Sequence, residues 1–171
     1  DDHPPGGFDR FDLKPFTTIH APFPYNIPLR CLYSRNVNNL FMAGRNLSAS
    51  HVAFTSTRVM ATCSVIGQAV GTAAAFCLKR GLLPRRLAND RERVKELQQI
   101  LLRDDQTIRN FRNEDPLDVA RKANVTASAS LPEAQPENVV KGFVRDMSGK
   151  WENRWGARLT SEGVFLDLEW T

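Results

Sequence analysis

The stretch AGRNLSASHVAFTSTRV, Ala43–Val59, gathers the side chains of this sequence best suited to chemistry. Gly44 closes a short apolar run, and Arg45, Asn46 and Ser48 follow directly. His51, Ser56 and Arg58 come next, immediately before an uncharged segment, Val59–Leu78. A strand ending in glycine, a polar turn and a helix start together make an oxygen-binding corner. The helix start offers unpaired N–H groups and about half a positive charge. Phosphate, carboxylate or an electron-rich carbonyl would suit such a place. The imidazole of His51 can move a proton near neutral pH, and a hydrogen-bonded structural role fits it equally well. From pattern alone, a capped buried helix with Arg45 and Arg58 in structural ion pairs is a slightly better account than a site. Arg30 can pair with a substrate anion, though a plain salt bridge is the simpler role. His3 and His20 lie in Pro-rich loops and read as surface residues.

Residues 1–30 carry six prolines and read as loop or edge strand, because proline donates nothing to a strand ladder. Leu29–Ser34 is expected to be a short strand, Asn36–Asn39 a turn and Asn39–Gly44 a buried strand. A helix is expected over Arg58–Arg80, capped by Ser56 or Thr57. Lys79 and Arg80 suit its negative end, Gly81 its C-terminal stop, and Pro84 lies just beyond. Cys63, Gly67, Gly71, Ala74 and Leu78 share one face, and the two glycines would admit a close-packed neighbour. A second helix is expected from Asn89, with Glu92 completing a capping box and Val94, Leu97 and Leu101 forming an apolar stripe. After Asp115 the composition turns toward β-structure and turns. VFLDLEW alternates as a strand, with Phe165 and Leu166 expected near a core.

The 171 residues allow one domain or slightly more. Hydrophobic content of 42 % and charged content of 25 % are ordinary for a soluble globular chain. The net charge of +4 is spread along the sequence, with no aromatic-interleaved basic stripe, so a nucleic-acid role has little support. Cys31, Cys63 and Cys77 have no metal spacing; Cys63 and Cys77 read as small core residues, and the odd count argues against a disulfide framework. Val59–Leu78 is long enough to span a bilayer, but Thr62, Ser64, Gln68 and Thr72 favour a buried helix in a soluble core, with no membrane span.

NLFMAGRNLSASHVAFTSTRVMATCSVIGQAVGTAAA resembles the C-terminal flavin-binding segment of FAD-dependent oxidoreductases, in particular a bacterial group. That group carries G-R-x-x-S-x-x-H-x-A-x-x-S-x-R-V and then G-Q-A-x-G-x-A-A-A. The matching residues are Gly44, Arg45, Ser48, His51, Ala53, Ser56, Arg58 and Val59, then Gly67, Gln68, Ala69, Gly71, Ala73, Ala74 and Ala75. The resemblance implies an α/β fold: part of a Rossmann-type FAD-binding domain with a strand, a long buried helix and a second helix, over residues 1–114. FAD is the implied cofactor and a small organic molecule the implied substrate, with hydride transfer to the flavin. Gly44, Arg45, Asn46, Ser48 and Ser56 would line the cofactor. Arg58, Val59 and Met60 would start the helix that faces the flavin pyrimidine edge, and its dipole would stabilise negative charge there. His51 would be the catalytic candidate. The G-x-G-x-x-G fingerprint for the ADP half is absent from these residues, so the chain by itself is expected to hold FAD poorly and to need the rest of a longer polypeptide.

Residues 115–123 read as a linker. NVTASASLPEAQPENVVKGF, NRWGA and GVFLDLEW, within residues 124–171, resemble the start of a discoidin-like, galactose-binding-type β-sandwich. Lys141 stands where the N-V-x-D-G pattern of that group has an acid. The pairing implies an exported, periplasmic or secreted enzyme working on or near carbohydrate. A non-catalytic carbohydrate- or surface-binding protein with a degenerate flavin fold is the alternative.

Overall fold

The computed structural model describes residues 24–146 and 150–170. His3, His20 and most of the Pro-rich segment lie outside the described residues. Among the described residues the chain divides into two compact units, one of residues 27–97 and the other of residues 98–170 together with residues 24–26.

In the first unit, the expected strand Leu29–Ser34 is instead a 3-10 turn, Leu29–Leu32, followed by an extended Tyr33. Tyr33 makes one antiparallel bridge to Phe41, and this is all that forms of the expected strand Asn39–Gly44. Ser34 N–H donates to the Leu40 carbonyl at 2.9 Å, and Met42 N–H to that of Leu32 at 2.8 Å. The Asn-rich turn between them does form: the Ser34 hydroxyl accepts from the N–H groups of Asn36 and Val37. Side-chain capture of backbone donors next to a run of asparagines is a turn mechanism, and it competes with ladder extension.

The expected helix over Arg58–Arg80 forms as α2 (Met60–Arg80), and a short helix not expected from the sequence, α1 (His51–Thr57), precedes it. Ser50 caps α1, its hydroxyl accepting from Ala53 N–H at 3.4 Å. Ser56 and Thr57 do not cap α2. Their hydroxyls bond back to carbonyls of α1, Ser56 to Ala53 and Thr57 to Ala53 and Phe54. Such back-bonding uses the hydroxyl inside its own helix, and the chain then extends through Val59 before α2 begins. At the far end the sequence reading holds. Gly81 takes the left-handed conformation (φ 61°), and Leu82 N–H reaches back to the Cys77 carbonyl at 2.9 Å.

α2 buries a stripe of Ile66, Ala73, Phe76 and Cys77, flanked by the half-buried Cys63 and Val70. Leu32, Leu47 and Ile66 form the centre of the unit's core, with Ile27, Phe54 and Val70 packed against it. The opposite side of α2 is open. Met60 is 89 % and Leu78 85 % exposed, and a Cβ added at Gly67 or Gly71 would meet nothing within 4 Å. The expectation of a fully buried helix with a close-packed glycine face is therefore corrected for the described residues. Ala and Gly present little apolar area per turn, and the bulky stripe decides which side packs. α2 is also long and apolar enough to cross a membrane by length and composition.

Two further helices follow. α3 (Pro84–Asn89) is not expected from the sequence, and Pro84 occupies its first turn. α4 (Arg91–Arg103) is capped by Asp90 rather than Asn89, because Asn89 is the last residue of α3. The Asp90 carboxylate accepts from the N–H groups of Glu92 and Arg93, both at 3.1 Å. Leu97 and Leu101 of the expected stripe are buried, with Leu102 beside them.

The second unit has little regular structure. β1 (Asn124–Ala127) pairs antiparallel with β2 (Leu166–Glu169), Val125 opposite Leu168. Val125 is buried, whereas Phe165 is 62 % exposed, which corrects its placement near a core. Side-chain amides fasten loops to backbone here. Gln99 donates to the Arg112 carbonyl and accepts from Glu114 N–H, and Asn26 does the same for both backbone groups of Arg109. Buried Asn138 donates to the Arg154 carbonyl at 2.9 Å and accepts from the Lys141 ammonium at 2.6 Å, so Lys141 has a local task in the loop. Trp155 and Trp170 donate through their indole N–H groups to the carbonyls of Ala129 and Val119. Among the described residues this unit has one two-stranded sheet, and a β-sandwich is not formed.

Candidate functional site

The site is built on the turn between Phe41 and α1. Gly44 has φ 78°, a region that only glycine enters without strain, and it starts a 3-10 turn, Gly44–Asn46. This turn packs on α2, where a Cβ at Gly44 would lie 4.0 Å from Cys63 Cβ. Ser48 N–H donates to the Cys31 carbonyl at 2.8 Å and ties the end of the turn to the Leu29–Leu32 segment.

Arg45 projects from the turn and is exposed. Its guanidinium lies over the Phe54 ring, 5.8 Å from the centroid, and it has no carboxylate partner among the described residues. Among the described residues, the ion pair considered for Arg45 does not form. His51 is exposed at the first position of α1. Ser56 is exposed on α1 with its hydroxyl bonded to the Ala53 carbonyl at 3.2 Å. Arg58 is half-buried and closes α1, its N–H donating to the Phe54 carbonyl at 3.1 Å.

Val59 and Met60 open α2 and are both exposed. Val59, the N-cap residue, has no side-chain oxygen to offer, and no acidic residue lies in the first turn. Among the described residues, the start of this 21-residue helix therefore has no N-cap side chain and no first-turn carboxylate to offset its backbone donors and dipole. That donor set fits the electron-rich edge of a flavin ring, and the Gly44 turn leaves the backbone bare beside it. Gly44, Arg45 and Asn46 share one turn, while Arg58, Val59 and Met60 share the helix junction. α1, with His51 and Ser56, connects them.

Asn46 and Ser48 also open onto a cleft of about 660 Å³ in the first unit, which the sequence reading missed. Its other walls carry Arg30 with Arg35 and Arg85. Arg85 and Asn89 stand one turn apart on α3, a helix not expected from the sequence, so their place beside Arg30 had no linear signal beyond i, i+4 spacing.

A profile of the FAD dependent oxidoreductase family matches residues 1–101. The chain belongs to this family, and FAD is its cofactor. No curated protein and no solved structure matches it.

Proposed function

We propose that residues 1–114 form the part of a flavoenzyme that holds the isoalloxazine end of FAD and faces a small organic substrate. The observation that carries this reading is the uncapped, exposed start of α2 beside the Gly44 turn. Bound FAD would supply the hydride-accepting ring. The N–H groups of Met60 and its successors, with the positive helix end, would favour negative charge on the pyrimidine side of that ring. Arg45 and Asn46 would bond ribityl or phosphate oxygens, and Gly44 would let the backbone approach. Ser48, Ser56 and Arg58 would complete the polar rim. His51, exposed at the head of α1, would hold or release a proton on the substrate side. Residues 124–171 would be an appended module after a linker at 115–123, and a carbohydrate-related substrate is the class that this module favours.

The test is a visible spectrum of the protein purified from its complete reading frame and supplied with FAD. Bound flavin bands that bleach on adding a reducing organic substrate are the expected result. A folded protein that retains no flavin refutes the reading.

A further inference from the structure

We infer that the cleft beside the Gly44 turn is an oxyanion-binding subsite, taking a phosphate or carboxylate group through Arg30, Arg35 and Arg85. The three arginines line one concavity of about 660 Å³, and no acidic residue among the described residues lines it with them. None of the three has a carboxylate partner among the described residues, although ion pairs elsewhere occupy Arg80, Arg93, Arg103, Arg112 and Arg154. Arginines left together without counter-charge repel one another, and an anion in the cleft relieves this. Their planar donors match the paired oxygens of carboxylate and phosphate.

The walls are fixed before any ligand arrives. Arg85 donates to the Arg35 carbonyl, which holds the α3 side of the cleft to the loop that carries Arg35. Arg30 sits on the 3-10 turn Leu29–Leu32, whose Cys31 carbonyl is bonded to Ser48. Ser48, Asn46, Asn89 and Tyr33 add neutral polar groups to the lining, enough to satisfy the remaining oxygens of a tetrahedral or planar anion. Asn46 and Ser48 also belong to the proposed cofactor rim. The oxyanion can therefore be a phosphate of FAD or the acidic group of a separate ligand. The cleft itself rests on the arginine geometry and not on the flavin reading.

The experiment titrates orthophosphate into the protein from its complete reading frame by calorimetry, and FAD separately by absorbance. The variants are the double change Arg30→Gln/Arg35→Gln and, as a control on α3 outside the cleft, Arg86→Gln. All three residues are exposed, so folding is checked simply by the melting curve. The expected result is saturable phosphate binding in wild type and Arg86→Gln, weakened about tenfold or more in the double variant. Phosphate that competes with FAD, together with weaker FAD binding in the double variant, assigns the site to the cofactor's phosphates. Phosphate that binds alongside FAD assigns it to a separate acidic ligand. Equal loss in the Arg86→Gln control, or phosphate binding untouched in the double variant, overturns the proposal. Retained phosphate binding without flavin would overturn the flavin reading alone.

Discussion

Replacing Gly67 and Gly71 by alanine tests what lies against the open face of α2. Both residues are inside a 21-residue helix, where glycine costs about 0.8–1 kcal/mol relative to alanine through backbone entropy. An added Cβ at either position meets no atom within 4 Å. No overpacking term therefore offsets the propensity gain, and the double variant should gain about 1.5–2 kcal/mol. For a chain of this length, that corresponds to a rise of roughly 3–8 °C in melting temperature. The assay is a thermal melt of the 171-residue chain followed by far-UV circular dichroism, with each single variant alongside the double. A fall in stability for either single variant would refute the reasoning. It would mean that a neighbour approaches this face closely enough to collide with one methyl group, as the sequence alone had implied.

Gly142→Ala should act in the opposite direction. Gly142 has φ 82°, and a Cβ there would stand 2.5 Å from the Asn113 carbonyl oxygen, so roughly 2–4 kcal/mol of stability is lost, read as a lower urea midpoint. Arg45→Ala should cost the apo protein no more than about 1 kcal/mol, the scale of an exposed cation–π contact, while FAD binding weakens by about 1.5–3 kcal/mol. Equilibrium dialysis of FAD and apo melting on the protein from its complete reading frame separate the two, and unchanged FAD affinity would remove Arg45 from the site. Burial pushes the Cys77 thiol above its ordinary value of 9.0. The folded state then holds that proton after the unfolded chain has released it, so stability is full below about pH 9 and falls as pH rises above it. A pH series of denaturant midpoints for wild type and Cys77→Ala checks this, and a slope that persists in the variant would assign the effect to other groups.

Some features were decided locally and were legible in the chain itself. Gly81 after Lys79 and Arg80 stops α2 because one residue with positive φ ends a helix whatever surrounds it. The turn after Ser34 and the apolar spacing of Leu97 and Leu101 are local in the same sense. The motif from Gly44 to Ala75 was readable as a resemblance to flavin oxidoreductases, and the family profile covers it. Other features depended on competition that spacing does not record. Ser56 and Thr57 could cap a following helix or bond back into a preceding one, and the choice fell with Ser50 starting α1 earlier. Asn89 and Asp90 could each cap α4, and the formation of α3 used Asn89 and left Asp90. The side of α2 that packs was set by where Leu32 and Leu47 arrive against Ile66, not by the glycines. The cleft gathers residues 30, 35 and 85, with the Arg85 guanidinium donating to the Arg35 carbonyl fifty positions away, and only the tertiary structure brings such charges to one place.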